Sequence, residues 1–151
     1  MSASSKKKPK YEYVKHTADI EFFAYGKTMS ELFRNAALAL FNAMADTKAV
    51  SKQTTGVRSL RINTSSYSAE DLLWRILQRS LSLSSADGLL AYRVKAMNVK
   101  RGGRWYKAGA VILCKSGSAE SAQLDVKGIS KYDMHINASS GLLKASVVLD
   151  V

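Results

Sequence analysis

One apolar stripe with a clear starting signal constrains the fold of this chain more than any other feature. Thr28 and Glu31 have the spacing of a capping box, in which the Thr28 hydroxyl accepts from the Glu31 backbone N–H and the Glu31 side chain reaches back to the Thr28 N–H. Apolar residues then recur every three or four positions, which is typical of a helix with one buried face. The predicted helix runs to about Ala45, with the stripe Met29, Leu32, Phe33, Ala36, Ala37, Leu40 and Met44.

A second helix start lies at Ser68, which is followed by the acidic residues Glu70 and Asp71. Serine favours the N-cap position, and acidic residues favour the first turn, where they face the positive end of the helix dipole. Ala86-Asp87-Gly88 is expected to end this helix. Its predicted apolar stripe is Leu72, Leu73, Ile76, Leu77 and Leu81.

Most of the remaining chain has the alternating pattern of β-strands. The predicted strands are residues 11–14, 20–25, 57–62, 90–99, 104–114, 124–129 and 143–151, with polar loops at 51–56 and 137–141. Arg101-Gly102-Gly103 fits a tight hairpin turn between two of these strands. The order of elements predicts an α+β fold, with two main amphipathic helices packed on a mostly antiparallel sheet.

Length and composition restrict the class of protein. The chain has 151 residues, of which 46% are hydrophobic, so we expect a single domain over residues 11–151 after a disordered basic tail at residues 1–10. No apolar run is long enough for a transmembrane helix, and the basic N-terminal residues precede no apolar stretch of a signal peptide. The single cysteine, Cys114, lies in an apolar run and indicates a buried side chain in a reducing compartment. We therefore expect a cytoplasmic protein without a membrane partner.

The net charge of +11 predicts affinity for an anionic partner such as RNA. The predicted hairpin is the main local candidate, because cations that contact phosphates alternate there with aromatic rings that stack on bases. No RRM signature is present, and a solvated turn over a core edge has the same composition, so both interpretations stay open. The hairpin residues are Lys100, Arg101, Arg104, Trp105, Tyr106 and Lys107.

Sequence motifs of several enzyme classes are absent. The chain has no P-loop, dinucleotide fingerprint, HExxH, CxxC or GxSxG motif. His16 and His135 have no ligand-type neighbour four residues away, which argues against a zinc site. A metal-dependent phosphoesterase would need two metals or a positioned base, and His16 is the only candidate base near the acidic residues discussed next.

Two aspartates occupy corresponding places at the two ends of the chain. Asp19 begins an apolar strand, and Asp150 is the only acid in the last strand, next to the carboxylate of Val151. If these ends meet, the carboxylates repel unless one is protonated or a cation lies between them. A hard cation such as Ca²⁺ takes six to eight oxygen ligands, so two aspartates and a terminal carboxylate would leave positions for water or a partner. The alternative is that each acid lies on the outer face of a strand or caps another element.

Several motifs of this chain resemble the archease family. In the first part of the chain they are residues 13–20 (Tyr-Val-Lys-His-Thr-Ala-Asp-Ile), 24–28, 31–33, 35–41 and 44–47. In the later part they are Asp71-Leu72-Leu73-Trp74, residues 126–129, Asp133-Met134 and a final hydrophobic-Asp-hydrophobic sequence. The resemblance covers residues 11–151.

The resemblance implies a non-catalytic protein that helps an RtcB-type tRNA-splicing ligase, promoting guanylylation of the ligase and its multiple turnover. It also implies a divalent-metal site at Asp19, Asp150 and Val151, with Ca²⁺ as the expected ion and Mn²⁺ or Mg²⁺ as alternatives in the cell. The expected partners are the ligase and tRNA or another RNA. The alternative function is a direct RNA-binding module that uses the basic hairpin and the tail.

The chain departs from the family pattern at the surface. Lys131-Tyr132 stand where family members often have an aromatic residue and a histidine, and the second helix has Arg75, Gln78 and Arg79 where relatives are usually acidic. The chain is also basic overall, whereas many members are acidic. These departures leave the predicted metal ligands unchanged but put the electrostatics of the ligase-facing surface in question.

Overall fold

A computed structural model describes residues 8–15, 19–117 and 120–151 of the chain. Within these ranges the chain forms eight strands and three helices. Their bounds are β1 Tyr11–Lys15, β2 Ile20–Gly26, α1 Met29–Met44, α2 Thr47–Ser51, β3 Arg58–Ser66, α3 Ala69–Ala86, β4 Leu89–Gly102, β5 Trp105–Ser116, β6 Gly128–Ile129, β7 His135–Ser139 and β8 Leu142–Asp150.

The strands of the described ranges form two antiparallel sheets. In the first sheet the order is β1-β2-β8-β6, and β7 also pairs with β8. In the second sheet the order is β3-β5-β4. The predicted α+β fold with antiparallel pairing is therefore confirmed, although the strands divide between two sheets where one was expected.

The two long helices pack against both sheets and enclose one hydrophobic core. Helix α1 contacts β2 and β4, whereas α3 contacts β3, β5 and β6. The predicted apolar stripes supply the largest buried side chains of both helices, and each such side chain contributes about 1.5–3 kcal/mol by leaving water. The fully buried members include Leu32, Phe33, Leu40, Leu72, Leu73, Ile76 and Leu77.

The start of α1 follows the predicted capping box with one difference. Thr28 Oγ1 accepts from the Glu31 backbone N–H at 3.1 Å, as expected. The Glu31 carboxylate, however, accepts from the backbone N–H of Lys27 at 2.9 Å and not from that of Thr28. Because Thr28 has an extended backbone, the N–H of Lys27 is turned toward the first helical turn. Gly26 lets β2 pass close to α1, since a Cβ there would lie 2.4 Å from the Leu32 backbone nitrogen.

Three short elements differ from the prediction because they depend on contacts with distant segments. Residues 47–51, which were expected to end a helix and begin a loop, form α2, and Asp46 caps it by accepting from the Ala49 N–H at 3.2 Å. Strand β3 continues past Ile62 to Ser66 because its polar end pairs with β5. The strand predicted over 124–129 is only Gly128–Ile129, because β8 offers only its last two residues to pair with it.

The turns of the β4–β5 and β7–β8 hairpins lie at positions different from those predicted. The expected polar loop at 137–141 is wrong, since residues 137–139 pair with β8 and only Ser140 and Gly141 form the turn. Their φ angles are 53° and 76°, as a type I′ turn requires. The β4–β5 turn is Gly103-Arg104, so Arg104 lies in the turn and not in the predicted strand. Gly103 has a φ of 63°, which suits the first position of a type II′ turn.

Some predictions concern residues beyond the described ranges or receive no test. Residues 1–7 of the expected tail and His16 lie outside the described residues, and the division into a tail and a single domain stays a prediction. Cys114 is buried as expected, and this burial raises the pKa of its thiol to about 11. In the described ranges, no helix is both long and apolar enough to cross a membrane.

Candidate metal site and partner surfaces

The register of β2 and β8 brings the two candidate aspartates to the same end of the first sheet. The last pair of this ladder is Ile20 with Leu149. Asp19 precedes Ile20 and Asp150 follows Leu149, so both aspartates lie at this end of the ladder, one residue beyond its last pair. We call this region, formed by Asp19, Asp150 and Val151, the aspartate end of the sheet.

A glycine opens space beside the Asp150 carboxylate. Gly128 pairs with Asp150 on the side of β8 that faces away from β2. A Cβ at Gly128 would lie 3.6 Å from Asp150 Oδ2 and 4.0 Å from Gln78 Oε1. The carboxylate and the carboxamide oxygen therefore reach the same small region. Gln78 was noted in the sequence only as a departure from an acidic helix, and no sequence signal links it to Asp150.

The donor groups that the described residues bring to this end are oxygens. Among the residues that the structure describes, no cluster of three or more His, Cys, Asp or Glu side chains could hold a metal ion. The two carboxylates, the main-chain oxygen of Val151 and the carboxamide oxygen of Gln78 are nonetheless hard ligands of the kind that Ca²⁺ and Mg²⁺ prefer. Val151 is 41% exposed and Asp150 is exposed, so a cation here would face solvent or a partner.

A groove of about 470 Å³ lies beside Asp19, between β1, the C-terminal part of α1 and residues 123–124. Tyr13 lines it and donates from its hydroxyl to the carbonyl of Ala39 at 2.8 Å. Burial of this ring raises the pKa of Tyr13. Leu124 also lines the groove and is 38% exposed, which gives an apolar surface directly next to the aspartate end.

Asp71 at the start of α3 ties the helix to the loop after β6. Its Oδ2 accepts from the Ser66 hydroxyl and from Arg75 Nε, each at 2.6 Å, while the Lys131 ammonium lies 3.3 Å from Oδ1 as an ion pair without hydrogen-bond geometry. Burial by itself raises the pKa of Asp71, but these three groups outweigh it and lower the pKa to about 2.

Lys131, one of the departures from the family pattern, therefore has a structural role. Its ammonium also lies 5.0 Å from the centre of the Trp74 ring. Trp74 in turn donates from Nε1 to the carbonyl of Ile129 at 2.8 Å. Tyr132 is different, because it is 94% exposed and faces solvent.

The hairpin residues predicted to contact nucleic acid lie on the second sheet and not at the aspartate end. Lys100, Arg101, Arg104 and Trp105 are all exposed at the β4–β5 hairpin. Trp105 contacts Tyr67, with ring centroids 3.9 Å apart.

Comparison with known proteins identifies the family. The model of the Archease protein family (MTH1598/TM1083) matches residues 11–151. The chain belongs to the archease family. The archease of Methanosarcina mazei is 33% identical over 144 residues, which cover 94% of this chain and 96% of the relative. The archease of Methanosarcina barkeri is 34% identical over 143 residues, which cover 93% of this chain and 95% of the relative.

Solved structures of archease proteins share the fold. The solution structure of Methanobacterium thermoautotrophicum protein 1598 matches with a TM-score of 0.78 at 26% identity, covering 94% of this chain and 99% of that chain. A Thermotoga maritima crystal structure, described as an archease and possible chaperone, matches with a TM-score of 0.58 at 18% identity, covering 97% and 98%. The resemblance read from the sequence motifs is therefore confirmed.

Proposed function

We propose that this archease-family chain is a non-catalytic, metal-binding cofactor of an RtcB-type RNA ligase. It promotes guanylylation of the ligase and repeated turnover in tRNA splicing or RNA repair. The choice of ligase rests on the family resemblance. The observation that supports the proposal is the register of β2 and β8, whose last pair, Ile20 with Leu149, leaves Asp19 and Asp150 as the next residues at the same end of the sheet. Two neighbouring carboxylates repel at neutral pH, and a bound divalent cation removes that repulsion.

The residues that would hold the cation are Asp19, Asp150 and the main-chain oxygen of Val151. Gln78 Oε1 and Asp150 Oδ2 lie 4.0 Å and 3.6 Å from the position that a Cβ of Gly128 would take, so the Gln78 carboxamide is a further candidate oxygen ligand in the same region. When bound, a divalent cation supplies a positive charge that attracts phosphate or carboxylate oxygens. Since Ca²⁺ takes six to eight oxygens, these few donors leave ligand positions for water or for a group of the ligase.

The surroundings of the aspartate end suit contact with a protein. The groove beside Asp19 combines the exposed apolar side chain of Leu124 with Tyr13. A partner that covers this groove would also come within reach of a cation held between Asp19 and Asp150. In this proposal the chain positions the ion and contacts the ligase, while the chemistry of RNA joining belongs to the ligase.

Calcium-dependent unfolding tests the metal site. We expect Ca²⁺ at about 100 times its dissociation constant to stabilise the wild type by about 2.7 kcal/mol. Asp150→Asn should remove this gain, and in chelator it should be at least as stable as the wild type because a like-charge contact is lost. Asp87→Asn is the matched control, since it breaks only an exposed 3.8 Å ion pair with Arg58. Equal stabilisation of both variants by Ca²⁺ would contradict the assignment.

Ligation under multiple-turnover conditions tests the partner. An RtcB-type ligase from the same source would be mixed with an excess of RNA ends, with and without this chain. We expect the wild type and Asp87→Asn to raise the number of turnovers per ligase, and Asp19→Ala and Asp150→Ala to leave it near that of the ligase alone. If both site variants stimulate as well as the wild type, the aspartate end is not the functional site.

A further inference from the structure

The positive charge of the chain is concentrated on the second sheet. Strands β3, β4 and β5 with the Gly103-Arg104 turn contain nine of the 23 basic residues and none of the 12 acidic residues. The other 14 basic residues share the rest of the chain with all the acidic ones. The field of the molecule is therefore strongest at this sheet, and a polyanion would be attracted to it.

One face of this sheet packs on the core, and the opposite face, which we call the outer face, is exposed. The pairing places Arg61, Lys100 and Lys107 on the outer face, and all three are exposed. In the row between them, Gly109 is paired with Asn63 on one side and Asn98 on the other. A hollow of about 580 Å³ on this face is lined by Gly109 and both asparagines together with Arg61, Lys100 and Lys107. Asn63 Oδ1 lies 3.0 Å from the position that a Cβ of Gly109 would take.

The cations of the outer face are not neutralised within the molecule. The ion pairs between side chains of the described residues involve Arg58, Arg75 and Lys131, and none involves Arg61, Lys100 or Lys107. All 12 acidic residues lie in the described ranges. The three charges are therefore available to an external anion, and the asparagine amides beside them can donate hydrogen bonds to it.

An aromatic pair lies at the hairpin end of the same face. Tyr67 and Trp105 contact each other with ring centroids 3.9 Å apart and ring planes tilted by 38°, yet they remain 66% and 40% exposed. Exposed aromatic rings beside a basic groove are the surface on which bases of single-stranded nucleic acids stack. An acidic protein surface would use only the positive charges of this face. A nucleic acid would also use the exposed rings and the asparagine amides, and these features favour it as the ligand.

We propose that the outer face of the β3-β5-β4 sheet binds single-stranded nucleic acid. Arg61, Lys100 and Lys107 contact phosphates, and a base stacks on the Tyr67–Trp105 pair. This inference goes beyond the ligase activation proposed above, because it requires neither the ligase nor a metal. It also enlarges the predicted hairpin site, since the contacts extend from the hairpin along the sheet to Arg61.

The outer face continues toward the aspartate end. A second groove of about 410 Å³ runs between β3 and α3. Asn63 and Thr64 line both this groove and the hollow of the outer face, and Gln78 lines its far side. Gln78 Oε1 and Asp150 Oδ2 both lie within 4.0 Å of the position that a Cβ of Gly128 would take. A strand bound on the outer face could therefore extend to the aspartate end, and this continuation alone rests on the proposed function.

Fluorescence anisotropy with a labelled single-stranded RNA oligonucleotide tests the inference without ligase and in chelator. The variant Arg61→Glu/Lys100→Glu/Lys107→Glu should lose about 100-fold in affinity near 0.1 M salt. The slope of log affinity against log salt concentration should become shallower by about 2, because each of the three lost phosphate contacts contributes roughly 0.7. The control Lys27→Glu/Lys48→Glu/Lys52→Glu makes the same change of net charge at exposed lysines elsewhere and should keep the wild-type slope. Circular dichroism checks that both variants fold.

Further arms separate the contacts and the ligand classes. Trp105→Ala should weaken binding by about tenfold or more while leaving the salt slope unchanged. A duplex of the same sequence should bind more weakly than the single strand, and a DNA strand tests whether the sugar matters. All of these arms are run in chelator and without ligase, which keeps this inference distinct from the metal site.

Two results would overturn the inference. One is an equal loss of RNA affinity in the sheet variant and in its control, which would mean non-specific attraction. The other is unchanged RNA binding by the sheet variant. If that variant also fails to bind the ligase, the outer face is a contact site for an acidic protein surface.

Discussion

Asp71 holds the first turn of α3 to Ser66, Arg75 and Lys131, and this contact makes a quantitative prediction about stability. The pKa of Asp71 is lowered to about 2 in the folded chain, whereas an aspartate in an unfolded chain titrates near 3.9. That difference corresponds to about 2.6 kcal/mol of stability at pH 7. Because the network lies at the protein surface, where water and salt screen charges, we expect about half of this, or roughly 1–1.5 kcal/mol.

The sign of the pH dependence follows from the lowered pKa. Above pH 3.9 the carboxylate is charged in both states, so its stabilising contribution is complete. As the pH falls from about 4 toward 2, the unfolded chain takes up a proton that the folded chain resists, and the contribution is lost. Asp71→Asn should therefore unfold more easily than the wild type at pH 7, while the two proteins should have similar stability near pH 2.

Urea unfolding followed by circular dichroism at pH 7, 4 and 2 measures this difference. Glu70→Gln is the matched control, because it removes a neighbouring acid from the same helical turn and should shift the unfolding free energy by less than about 0.5 kcal/mol. If the unfolding free energies of the wild type and Asp71→Asn differ by the same amount at all three pH values, the electrostatic explanation is refuted. The loss would then come from packing or hydrogen bonding that does not depend on charge.

Three further predictions concern the core. Gly26→Ala should lower the free energy of unfolding by about 3 kcal/mol or more, because its Cβ meets the backbone of α1, while Gly56→Ala, with no atom within 4 Å, should be nearly neutral in urea unfolding. Cys114 should react with a thiol reagent only after unfolding, since its pKa is raised to about 11 by burial; rapid labelling of the native chain would contradict this. Asn35→Ala should cost about 1–3 kcal/mol in thermal unfolding, because the buried Asn35 amide donates to the Tyr25 carbonyl at 2.7 Å, and a neutral result would mean that water replaces it.

The parts of the fold that the sequence predicts well are those specified by neighbours in the chain. Helices α1 and α3 are capped by Thr28 and Ser68, and the residues of each apolar stripe follow one another at intervals of three or four positions. Strand β7 was missed because its residues are mostly polar and exposed, and its conformation comes from backbone pairing with β8. Helix α2 was missed because five residues carry too short a pattern, although Asp46 was an available capping signal.

The candidate sites show the same limit. The placement of Asp19 and Asp150 at the same end of the first sheet depends on the register between two strands that lie far apart in the chain, which local patterns do not encode. Family resemblance suggested that pair, but it did not indicate that Gln78 reaches the same region as Asp150. On the second sheet, the hairpin cations were visible in the sequence. The outer face was not, because pairing with β3 is what adds Arg61 and Asn63 to it.

Guanylylation of the ligase tests the central claim most directly. A purified RtcB-type ligase from the same source would be mixed with labelled GTP and Mn²⁺, alone or with the wild type, Asp150→Ala or Asp87→Asn, each variant first shown to be folded. We predict faster formation of the ligase–guanylate adduct with the wild type and Asp87→Asn, and the rate of the ligase alone with Asp150→Ala. Stimulation by Asp150→Ala equal to that of the wild type, or none by any form with an active ligase, would contradict the account.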